Sequence, residues 1–108
     1  MAVSIDEFRA IELRVATITA AIPHPNADRL LVLTVDIGTE QRQVVAGIRT
    51  HYQPDDLIGK QVVVVVNLQP ATLRGVESQG MILAASDDDG QLAIVVPELP
   101  VKTGAAVK

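Results

Sequence analysis

The chain is 108 residues long, 48% apolar but only 2% aromatic, with a formal charge of −4 and no cysteine. Such a length and apolar fraction describe one domain with an aliphatic core and exclude a disordered segment. The missing cysteines exclude disulfides and thiolate metal sites. The acidic balance counts against a generic duplex-coating protein, and Phe8 and Tyr52 alone cannot build a platform for stacked bases.

Asp6 and Glu7 stand where a secretory signal would be basic and then apolar, and no stretch is long enough to span a membrane. A cytoplasmic location is the expectation. Ser4 and Glu7 have capping-box spacing, which predicts a short helix that must dock on the body, with Phe8 as its anchor. A strand is predicted over 12–21, after which Pro23 and Pro25 interrupt ladder bonding and open a turn-rich connector. Leu31, Leu33, Val35 and Ile37 alternate with Val32, Thr34 and Asp36, the period of a strand with one buried face. Gly38 ends it in a hairpin, residues 41–46 pair back, and Gly47 marks a bulge or a close backbone approach. Pro54, Asp55 and Asp56 suit the first turn of a short helix that Gly59 stops.

The β-branched run over 62–66 reads as a strand covered on both faces, and an apolar strand is predicted again over 81–85. Between them the polar stretch 67–80 is either a recognition site or a structured turn; the residues alone leave both open. A turn over 87–90, a last strand over 92–96 and a tail anchored by Val101 and Val107 complete the chain. This order predicts an all-β fold: a five-stranded Greek-key barrel of the oligonucleotide/oligosaccharide-binding kind, with a helix between its third and fourth strands. The barrel is expected over about 12–86 of a single domain, 1–108, with a C-terminal extension over about 87–108.

Catalysis finds little support. His24 and His51 lack metal-ligand spacing, and His24 reads as a solvent-facing loop residue. Ser78 has no nucleophile-elbow context, and Asp87, Asp88 and Asp89 read as a solvated turn. No catalytic residue, metal site or cofactor is expected. Arginine carries more promise, because a guanidinium holds phosphate in a bidentate fork. Arg42 and Arg49 bracket the third strand and Arg74 lies on the polar stretch. The competing reading is surface charge paired to Glu77, Glu40 or Asp28.

Several stretches resemble one family in order. They are Ile5-Asp6-Glu7-Phe8, Leu13-Arg14-Val15-Ala16, His24-Pro25-Asn26-Ala27-Asp28-Arg29-Leu30 and Arg42-Gln43-Val44-Val45-Ala46-Gly47-Ile48. The longest runs from Asn67-Leu68-Gln69-Pro70 through Leu73-Arg74-Gly75-Val76-Glu77 to Ser78-Gln79-Gly80-Met81. Together they resemble the tRNA-binding domain found at the C-terminus of methionyl-tRNA synthetases, as a free-standing dimer, and in the endothelial monocyte-activating polypeptide. The resemblance implies a non-enzymatic module that binds tRNA by shape and backbone. It also implies a homodimer joined through the extension, and the catalytic part of methionyl-tRNA synthetase as a further partner. It points to Ser78 and Met81 as binding-surface residues, with Asn67 and Arg74 beside them; Arg42, Arg49 and Gln79 complete the expected patch. Met81 either touches RNA or shapes the loop from beneath. Where family members often carry lysine or arginine, this chain has Gln69, Ala71 and Thr72, which leaves a homodimeric protein-interaction module, chaperone-like or synthetase-bound, as the alternative.

Overall fold

Valine after valine in the middle of the chain leaves no polar side chain to face water, and a computed structural model describing residues 1–108 buries the whole run. Val62 to Val66 lie within a core that also takes Ile18, Leu31, Leu33, Val35, Val44 and Leu57. Five antiparallel strands make the main sheet: β1 (Leu13–Pro23), β2 (Leu31–Asp36), β3 (Gln41–Ala46), β4 (Gln61–Val65) and β7 (Met81–Ile82), in the order β3-β2-β1-β4-β7. Between β4 and β7 lies a hairpin of β5 (Ala71–Leu73) and β6 (Val76–Ser78), and after β7 comes a second hairpin, β8 (Ala84–Ser86) and β9 (Leu92–Ile94). The fold is the all-β, nearly closed oligonucleotide-binding barrel that the element order predicts. Its helix α2 (Pro54–Leu57) sits between β3 and β4 and buries Leu57. No helix is long and apolar enough to cross a membrane.

The open seam lies between β3 and the segment from β6 to β7, and side chains close it instead of a regular ladder. The Gln43 side chain donates to the Glu77 carbonyl at 2.7 Å, and the Gln43 N–H donates to Gln79 Oε1 at 3.0 Å. The Gln79 N–H returns to the Gln43 carbonyl at 2.8 Å, and the Val45 N–H donates to Ser78 Oγ at 2.9 Å. Such bonds satisfy the edge of β3 that a sixth strand would otherwise cover.

The tail fills the other exposed edge. β10 (Ala106–Val107) pairs with Leu13 and Arg14 of β1, and Gln61 exchanges two hydrogen bonds with Val101. At Gly104, φ is 91°, and a Cβ there would lie 2.8 Å from the Ile37 carbonyl and 3.1 Å from Gly38 Cα. Only glycine lets the tail close onto the β2–β3 turn.

Four local expectations change. α1 (Ile5–Arg9) has its capping box, but no residue of it is buried and Phe8 remains partly exposed. It is held instead by Asn67, which accepts from the Glu12 N–H at 2.8 Å and donates to the Ala10 carbonyl at 2.7 Å. The bulge falls in β1, between Ile18 and Ala20, while a Cβ added at Gly47 would meet nothing closer than a Leu30 methyl at 3.8 Å. β1 also continues through Pro23, which as the last residue of a strand loses nothing by lacking an N–H. The strand over 81–85 divides at Leu83, because its first half pairs with β4 and its second with β9.

Candidate nucleic-acid interface

The β5–β6 hairpin turns in two residues, Arg74 and Gly75, with φ of 52° and 89°. Two positive φ values in a two-residue loop are the geometry of a type I′ turn, whose handedness matches strand twist. Glycine suits its place. Arg74 is the one non-glycine residue of the chain with positive φ, a conformation that costs roughly 1–2 kcal/mol for an L-residue.

Beneath the hairpin lies the connector that follows β1. Its His24 is buried, 2% exposed, rather than solvent-facing. The ring spans two bonds: Nδ1 accepts from the Asn26 N–H at 2.9 Å, so the proton sits on Nε2, which donates to the Leu73 carbonyl at 2.9 Å. That imidazole ties the connector to the last residue before the turn. Pro23 and Pro25 on either side set its backbone, which is why a histidine in a loop ends inside. Arg49 donates to the carbonyls of Ala27 at 3.1 Å and His24 at 3.5 Å, and Arg74 donates to Asn26 at 3.2 Å. Three separate segments thus meet on one loop. Arg29 and Arg74 share a cleft of about 360 Å³ with Asn26, Ala27, Asp28 and Leu30.

Charge pairing sorts the arginines. Arg14 bonds Glu12 and Arg42 bonds Glu40, each at 2.8 Å, and these are the two ion pairs of the chain. Arg42 also donates to the carbonyls of Val66 and Gln79, so it is a neutralised brace across the seam. Arg29, Arg49 and Arg74 have no carboxylate within ion-pair distance. Three unpaired guanidiniums around one loop make a local positive region on an acidic protein.

The expected patch therefore separates into two groups. Arg49 and Arg74 both donate to carbonyls of the connector after β1, and Arg29, a member the sequence reading missed, shares the Arg74 cleft. Arg42, Asn67, Ser78 and Gln79 hold the barrel and α1 in place. Ser78 is 4% exposed and, besides accepting from Val45, donates to the Gly80 carbonyl at 2.9 Å. Met81 is 47% exposed at the start of β7. His51 lies away from His24, bonding Gly90 and Thr50, and nowhere do three His, Asp or Glu side chains converge as metal ligands would.

Residues 13–106 match the family model described as "Putative tRNA binding domain". The chain belongs to this family. It is 52% identical over 106 residues to the methionine–tRNA ligase of Thermococcus kodakarensis, covering 98% of this chain and 14% of that enzyme. The chain thus spans only a small part of that relative's length. Among solved structures, the MetRS-related protein from Pyrococcus horikoshii superposes with a TM-score of 0.93 at 35% identity, over 100% of this chain and 99% of that one. The chaperone CsaA from Bacillus anthracis gives 0.90 at 28% identity, over the full length of both chains.

Proposed function

We propose that this domain is a non-catalytic tRNA-binding module that grips the backbone of folded tRNA at the tip of the β5–β6 hairpin. It serves within or beside a methionine–tRNA ligase. The observation that carries this reading is the convergence of Arg29, Arg49 and Arg74, none of them ion-paired, on the loop between β1 and β2. Family membership supports the substrate class. The near absence of aromatic residues favours phosphate and ribose contacts over base stacking. Two copies pair through the extension, where Val95, Val96, Leu99 and Val101 are all exposed apolar residues.

The test is titration of folded tRNA, the same RNA unfolded, and duplex DNA at several salt concentrations. Folded tRNA should bind best, with little preference among elongator tRNAs. Two or three phosphate contacts give a slope of log K against log salt of about −1.4 to −2.7. Equal and negligible binding of all three nucleic acids overturns the proposal and leaves the protein-interaction module, the reading favoured by the apolar extension.

A further inference from the structure

Resting on the tRNA reading, the geometry leads us to infer that Arg29 and Arg74 form a seat for a single RNA phosphodiester, and that buried His24 is the residue that positions Arg74 on it. Arg29 and Arg74 both line one cleft. Arg29 is exposed and its guanidinium has neither a hydrogen bond nor an ion pair, so its donors are free. Arg74 commits one donor to the Asn26 carbonyl and keeps the rest of its fork. Asp28 lines the same cleft, and one carboxylate against two guanidiniums leaves it positive. Two guanidiniums facing one space match the several oxygens of a phosphodiester.

The backbone gives independent support. A type I′ turn favours asparagine or glycine at its first position, yet this chain holds an arginine there at φ 52°. Strain of that kind persists where the surroundings over-determine it, and it concentrates at ligand clamps. The over-determining contact is visible. His24 fastens Leu73, the residue just before Arg74, while its Nδ1 fixes the Asn26 N–H, whose own carbonyl receives the Arg74 guanidinium. One imidazole thereby sets both ends of the Arg74 side chain. His24 itself is buried and touches no ligand.

The experiment measures folded tRNA affinity across a salt series for Arg29→Gln, Arg74→Asn and the double variant. Asparagine removes the cation while suiting the turn. Each single change should weaken binding roughly tenfold, the scale of one charged hydrogen bond at a partly exposed site. The double variant should lower the salt slope by about one in all, because one phosphate is lost; two separate phosphates would lower it by about two. His24→Ala should weaken binding as Arg74→Asn does and add little to it when combined. His24→Gln, which offers an amide N–H near the place of Nε2, should restore much of the affinity. Unchanged affinity in Arg29→Gln or Arg74→Asn, a slope change of two, or full additivity of His24→Ala with Arg74→Asn overturns the seat while wild-type binding stands. Loss of wild-type tRNA binding itself overturns the underlying reading as well. Were His24→Ala unfolded, the Arg29 and Arg74 slopes would still decide the matter.

Discussion

Ser78→Ala separates a residue that touches RNA from one that closes the barrel. The hydroxyl is 4% exposed, accepts from the Val45 N–H and donates to the Gly80 carbonyl, both at 2.9 Å. Alanine keeps the packing but leaves the Val45 amide, itself buried, without a partner. An unsatisfied buried donor costs about 1–3 kcal/mol. Gly80 is only half-buried, so its carbonyl recovers water and contributes little to the loss. The expected destabilisation is therefore about 2 kcal/mol. With a urea m-value of about 2 kcal/mol per M, the middle of the usual range of about 1–3, the midpoint falls by roughly 1 M at unchanged m. Under conditions where the variant remains folded, its affinity for tRNA should stay within about twofold of the wild type. An unmoved urea curve with a tenfold affinity loss would refute the argument and return Ser78 to the interface.

Three further outcomes are expected. The Glu7 carboxyl is held below its usual range by the Ser4 backbone N–H and then by the Ser4 hydroxyl. Its stabilising contribution is therefore complete above the ordinary carboxylate value of 4.5 and is lost as pH falls through the lower folded value. Urea midpoints of wild type and Glu7→Gln should differ near pH 6 and converge in acid; a constant gap counts against the capping box. Gly104→Ala puts a methyl 2.8 Å from the Ile37 carbonyl at a φ of 91° and should cost roughly 2 kcal/mol, read by urea unfolding, with faster amide exchange at Val15 and Ala106. Sedimentation at micromolar concentration should give twice the 11.5 kDa chain mass, as an interface above roughly 1,000 Å² allows; a lone monomer refutes the dimer.

Alternation and turn residues made most of the barrel legible. Leu31, Leu33 and Val35 are buried as their period demands, and the proline and acids of α2 stand where a first turn needs them. What the chain order could not show is which segment meets which. The polar stretch between β4 and β7 reads as a loop because its apolar residues are sparse, yet it forms a hairpin whose Ser78 and Gln79 complete the partnering of β3. A short polar residue that closes a seam and one that faces a ligand look the same in sequence. Only the partner, 33 positions away for Ser78 and Val45, separates them. His24 was misjudged for the same reason, since its acceptor on Leu73 lies 49 positions along the chain.

The arginines did carry a local signal. Along a strand, side chains two residues apart share a face. Glu12 stands two residues before Arg14 and Glu40 two before Arg42, and these are the two pairs that the structure neutralises. Arg29, Arg49 and Arg74 have no acid two residues to either side, only alanine, leucine, glycine, histidine, threonine or valine. Asp28 is adjacent to Arg29 in a turn, and the two form no ion pair. Along strands, spacing of two thus sets Arg42 aside and leaves Arg29 free. It does not show that Arg29, Arg49 and Arg74 gather on one loop, because that depends on β3 ending beside the connector after β1 and on the hairpin folding over it. Local pattern decides which charges are free, and topology decides where they meet.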